Sequence, residues 1–132
     1  LSLPVARLRG EQALSVLMQG RWAADGKRAW SVGELDLEGT GVTDISCLSQ
    51  CKILTQLALF YCTGVTNVSC LGQCKMLFMI VLQGCTGVTD VSCLDQCELL
   101  VELNLEGCTS LTQKNVDSLR EKIPGCRIDY YY

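Results

Sequence analysis

The chain has 132 residues, a formal net charge of −3, 10 cysteines and no histidine. That length suits one domain with a modest core. The charge argues against a nucleic-acid binder, which would carry a basic face. The missing histidine excludes a Ser–His or Cys–His nucleophilic pair within the chain and weakens a Cys/His zinc site.

The first residue is Leu rather than Met, from which we expect a fragment, or a processed or trimmed form of a longer protein. Residues 1–10 contain Pro4, Arg7 and Arg9 and lack a sustained apolar core, so no secretory signal is read there. The apolar stretch 77–82 is far too short to span a membrane. Leu14, Leu17 and Met18 stand at i, i+3 and i+4 ahead of Gly20, which predicts an amphipathic helix over residues 11–19. Trp22 and Trp30 flank a turn, AADGK, and are expected to cover the first coil of a repeat that begins just after them. Residues 1–31 are therefore expected to form an N-terminal cap of helix and turn.

From residue 32 the chain repeats. Cys47, Cys70 and Cys93 stand 23 residues apart, as do Cys51, Cys74 and Cys97, and Cys62, Cys85 and Cys108. The words between them are near-copies: TGVTDISCLSQC from Thr40, TGVTNVSCLGQC from Thr63 and TGVTDVSCLDQC from Thr86. The leucines keep the same step: Leu54, Leu57 and Leu59; Leu77, Ile80 and Leu82; Leu100, Leu103 and Leu105. Val32, Leu35 and Leu37 form a first copy, one residue shorter because it lacks the cysteine before TGVTD. Ile123, Cys126 and Ile128 form a last one, giving about five strand-bearing turns of a solenoid.

In LxL the leucines point to one side and the residue between them to the other. One coil cannot bury its leucines alone, so stacked coils must share a core, with neighbouring strands parallel. Gly41, Gly64 and Gly87 are expected to allow the sharp turn after the strand. Asp44, Asn67 and Asp90 are suited to cap a short helical turn, which explains Asn67 better than the glycosylation sequon it begins. Val68, Leu71 and Cys74 then pack inward, and the short repeat leaves room for only a 3₁₀ or brief α turn on the convex side. Past residue 111 the motif changes. Val116, Leu119, Lys122 and Ile123 predict a longer helix, TQKNVDSLREKI, stopped by Pro124 and Gly125. A final strand over residues 126–130 would close the sheet. The repeats thus occupy 32–111, and 112–132 forms a C-terminal capping helix and last strand. The tail 130–132 either packs on the last coil or begins a further repeat.

The cysteines fall into columns. Cys62, Cys85 and Cys108 face into the turn, where a thiol is a weak donor for backbone groups. Cys51, Cys74 and Cys97 act as small hydrophobes, and Cys47, Cys70 and Cys93 sit nearer the surface. Disulfides between coils are within reach, but each column has three members and would leave one unpaired. Reduced thiols in an intracellular protein are the simpler account. Metal is disfavoured, because each Cys-x3-Cys falls on a packing column.

Residues 32–128, through LxxLxLxxC, resemble the leucine-rich-repeat superfamily. The words GCTGVTDVS and the QC before the next leucine are similar to kinetoplastid (trypanosomatid) leucine-rich-repeat proteins, although that pattern has Pro where this chain has Cys47, Cys70 and Cys93. They also resemble the cysteine-containing repeats of F-box substrate receptors, and the DIS-x-L spacing is similar to the internalin and phosphatase-regulator class. The resemblance implies an α/β solenoid: a leucine-rich-repeat horseshoe with a concave parallel β-sheet and short 3₁₀ or α turns on the convex side, capped by helices. It also implies protein binding and no cofactor.

Residues beside the strand leucines face the concave surface and vary between copies. They are Glu34, Asp36 and Glu38, then Gln56, Ala58 and Phe60, then Met79, Val81 and Gln83. Glu102, Asn104 and Glu106 come next, then Arg127 and Asp129, with Tyr61 at one strand's end. Phe60, Met79 and Val81, with Tyr61 and Phe78, make an apolar centre between acidic flanks. That is the composition of an interaction surface, expected to take a protein with a basic rim and an apolar knob. Narrower readings are the substrate-recognition part of a ubiquitin ligase, for which 1–21 is too short to supply an F-box, and a phosphatase-regulator-like subunit. Another is a structural domain that forms a homo-oligomer. An enzyme using Asp36 and Glu38 as acid and base is disfavoured, since an open sheet offers no evident pocket.

Overall fold

The computed structural model describes residues 6–10 and 32–131. Among the described residues six short strands lie side by side in chain order, all parallel. They are β1 (Ala6–Arg9), β2 (Val32–Asp36), β3 (Gln56–Ala58), β4 (Met79–Val81), β5 (Glu102–Asn104) and β6 (Arg127–Asp129). Each LxL places its leucines inward. Leu35, Leu57, Ile80 and Leu103 are paired across successive strands and are buried. Behind them Leu37, Leu59, Leu82 and Leu105 are fully buried, so every coil closes its neighbour's core. No polar or charged residue is buried among the described residues.

Just after the second inward leucine the chain bends through a left-handed residue: Gly39, Tyr61, Gly84 or Gly107, with φ between 56° and 76°. This corrects the expectation for Gly41, Gly64 and Gly87, none of which has a positive φ. The bend falls earlier than the repeated TG word suggests. Gly64 and Gly87 matter for close approach instead. A Cβ on Gly64 would lie 2.8 Å from Thr43 Cγ2, and one on Gly87 would lie 2.9 Å from the Thr63 carbonyl oxygen. A Cβ on Gly41 would meet nothing within 4 Å.

On the opposite side each coil makes one 3₁₀ turn, namely Ser46–Gln50, Ser69–Gln73 and Ser92–Gln96. Asp44, Asn67 and Asp90 each accept from the backbone N–H two residues on, at 2.8, 2.9 and 2.8 Å. That is the turn-capping role expected of them, and it orients Val68, Leu71 and Cys74 and their counterparts into the core. In the first coil Thr40 stands in the cysteine column: its N–H bonds the Leu37 carbonyl as Cys62 N–H bonds that of Leu59. Its Oγ1 donates to the same carbonyl at 2.7 Å.

The strand β1 was not expected. It pairs with β2 through a register shift between Ala6 and Arg7 and carries none of the repeat's words. The helix expected over 11–19 and the Trp22–Trp30 turn lie outside the described residues, as does Tyr132. At the far end helix α1 (Gln113–Lys122) replaces the 3₁₀ turn. Thr112 and Asn115 form a reciprocal capping box at its start. Val116 and Leu119 are buried, Ile123 is partly so, and Lys122 is exposed with its Nζ 3.8 Å from Asp95. Tyr130 is buried, and its hydroxyl donates to the Leu111 carbonyl at 2.6 Å.

Candidate functional site on the outward face of the sheet

Strand register converts the alternating residues into three columns. Glu34, Gln56, Met79, Glu102 and Arg127 form one. Arg9, Asp36, Ala58, Val81, Asn104 and Asp129 form the second. Phe60, Gln83, Glu106 and Tyr131 continue as a third, because Tyr61, Gly84 and Gly107 each donate their N–H to a carbonyl of the next coil, at 2.8 to 2.9 Å. Glu38 holds the same place just beyond β2, two residues past the Asp36–Ala58 pair.

All eleven residues singled out for binding are on this face or its rim. Ala58, Phe60, Met79, Val81 and Gln83 are half-buried, and Tyr61 is exposed. Asp36, Asn104 and Glu106 are half-buried, and Glu38 and Glu102 are exposed. The apolar centre and the acidic flanks are therefore contiguous across strands. Phe78 is half-buried just before β4. Two residues were missed. Arg9 is exposed in the second column, but the irregular spacing of β1 hid it. Tyr131 is 61% exposed; continuing the alternation two residues past Asp129 would have found it.

A shallow cavity of about 380 Å³ lies over Ala58, walled by Arg9, Glu34, Asp36, Gln56, Met79 and Val81. Side chains bond from one coil to the next. Gln56 Nε2 donates to Glu34 Oε1 at 3.0 Å, Asn104 Nδ2 to Gln83 Oε1 at 3.2 Å, and Gln83 Nε2 to the Tyr61 hydroxyl at 3.2 Å. Asp36 and Asn104 also accept from the backbone N–H of Glu38 and Glu106, both at 2.9 Å, which fixes their χ angles.

Tyr61 is unusual. A non-glycine residue at φ 56° costs about 1–2 kcal/mol relative to glycine. Its ring lies against Gly84, where any Cβ would overlap ring atoms Cδ1 and Cε1. Behind it burial pushes the Cys62 thiol up, and the charges of Asp36 and Glu38 push it further. None of the cysteines offers a ready thiolate. Burial raises Cys51, Cys70 and Cys85 to about 12 and Cys74, Cys93, Cys97, Cys108 and Cys126 to about 11.

No protein-family model matches the sequence, and no curated protein matches it significantly. Solved structures do. An internalin from Listeria monocytogenes superposes with a TM-score of 0.56 at 22% identity, over 63% of this chain and 27% of that one. The leucine-rich-repeat domain of the type III effector XopL gives 0.56 at 17%, over 79% of this chain and 44% of that one. The chain thus spans less than half the length of either. The likeness establishes the fold, a leucine-rich-repeat solenoid.

Proposed function

We propose that this leucine-rich-repeat solenoid is a protein-interaction module that holds its partner on the concave face of the sheet. The observation that carries the reading is the contiguous apolar centre of Ala58, Phe60, Met79 and Val81, set between carboxylate flanks. Apolar anchors within a polar rim are what stable interfaces use, and the flanks favour a partner with basic residues around an apolar knob. No cofactor enters this reading, and no catalysis. The free thiols favour a reducing, intracellular setting. The words GCTGVTDVS support a kinship with kinetoplastid repeats.

Replacing Phe60 and Val81 together by lysine tests the site. Capture of a partner from extracts of the source cell should be lost, while circular dichroism and melting temperature stay close to the parent. Retained capture would overturn the concave-face reading. Narrower roles, as the recognition part of a ubiquitin ligase or a phosphatase-regulator-like subunit, are distinguished by which enzyme is captured with the partner. Self-association is read by light scattering at two concentrations.

A further inference from the structure

Tyr61 stands where three sibling coils place glycine, and it is the one non-glycine residue with a positive φ among the described residues. Glycine would fit that backbone without strain. Instead the chain keeps an aromatic side chain that is 60% exposed. Its ring rests on the bare backbone of Gly84, and its hydroxyl accepts from Gln83. The side chain is thus held at one edge with most of its surface open. Strained residues persist where their surroundings over-determine them, and they cluster at ligand-holding sites.

The surroundings indicate what it would hold. Phe60 supplies a second, half-buried aromatic beside it. Glu38 lies on the preceding coil, and Glu106 lies on the coil beyond Gly84, where the Gly84 N–H bonds its carbonyl. The described arginines on the sheet stand on its outer strands: Arg7 and Arg9 on β1, and Arg127 on β6 with its Nε 3.3 Å from Asp129. Negative charge on the coils of β2 and β5 therefore borders the aromatic surface that follows β3. A guanidinium matches both, since its plane stacks on a ring while its N–H groups reach carboxylates.

We propose that Tyr61 is the anchor on which an arginine of the bound protein stacks, with a carboxylate on either flank. This rests on the concave-face reading and names the chemistry of its partner.

The test tracks the aromatic ring protons by NMR during titration with three tripeptides, acetyl-Gly-Xaa-Gly-amide, where Xaa is arginine, citrulline or glutamate. The arginine peptide should shift the Tyr61 ring saturably. Citrulline has the same shape without the charge and should bind about two- to fivefold more weakly. The glutamate peptide should leave the ring unmoved. Tyr61→Leu, which keeps the backbone strain but removes the π face, should abolish the difference between arginine and citrulline, followed in the variants on the Phe60 ring. Tyr61→Gly should do the same while holding or raising the melting temperature. Equal binding of arginine and citrulline by the parent chain would overturn the proposal, and so would an undiminished preference in Tyr61→Leu. If Tyr61→Gly does not fold, the parent and Tyr61→Leu still decide. Capture of the full partner separates the two readings. Loss in the Phe60/Val81 variant with retention in Tyr61→Leu would sink this inference alone, whereas retention in both would sink the concave-face reading.

Discussion

A thiol is a weak donor, yet here most of the cysteines find the same kind of acceptor. Cys85 Sγ lies 2.9 Å from the Leu59 carbonyl and Cys108 Sγ 3.0 Å from that of Leu82, each 26 residues back and so one coil behind. Cys74 and Cys97 reach Leu48 and Leu71 at 3.2 and 3.3 Å, and the half-buried Cys70 and Cys93 reach Ile45 and Val68 at 3.2 and 3.3 Å. A neutral, hydrogen-bonded thiol is a poor nucleophile. Iodoacetamide at about pH 8 should therefore label the native chain slowly and all 10 cysteines promptly once denatured; mass spectrometry counts the adducts. Fast native labelling would mean that the coils open readily. Cys85→Ala should cost about 1 kcal/mol by denaturant titration, because the Leu59 carbonyl loses one of its two donors and keeps the Cys62 N–H. The columns were legible because three copies agree on them. The left-handed Tyr61 was not read, although its alignment with Gly39, Gly84 and Gly107 was present in the sequence. The conspicuous TG word drew attention too far along the chain.

Between residue and molecule, the strand and the turn divide the labour. LxL buries two side chains and exposes one, so deletion of an inward residue damages two interfaces at once. Ile80 sits in the middle of the ladder, paired with Leu57 and Leu103 and fully buried. Ile80→Ala should cost about 2–5 kcal/mol, read as a shift in denaturation midpoint. Val81→Ala on the other face of the same strand should cost far less. The 3₁₀ turns and α1 were legible because their capping residues are local: Asp44, Asn67 and Asp90 act two residues ahead, and Thr112 three. The strand β1 was illegible for the opposite reason. Its step to β2 departs from the repeat's 23 residues and shifts at Ala6–Arg7, so no periodicity announces it. Arg9 went unread with it, and with it one wall of the cavity over Ala58.

For the molecule as a whole the buried thiols set a limit in alkali. Burial holds eight of them at about 11 to 12, against an ordinary value of 9.0. The unfolded chain releases these protons near the ordinary value, and the folded chain only above it. Stability present below that value is therefore lost as the pH climbs toward 12. Melts at about pH 7, 9 and 11 should show little change over the first step and a steep fall over the second. A flat profile would mean that the thiols ionise without unfolding. Because strands succeed one another in chain order, and the thiols of Cys70, Cys74, Cys85, Cys93, Cys97 and Cys108 reach only one coil back, these contacts do not depend on how many coils there are. Removing residues 63–85 would join Cys62 to Thr86 and leave an unbroken TGVTDVSCLDQC after it. Loss or gain of whole 23-residue units is thus compatible with the coil-to-coil packing, and it would shorten or lengthen the sheet by one strand at a time.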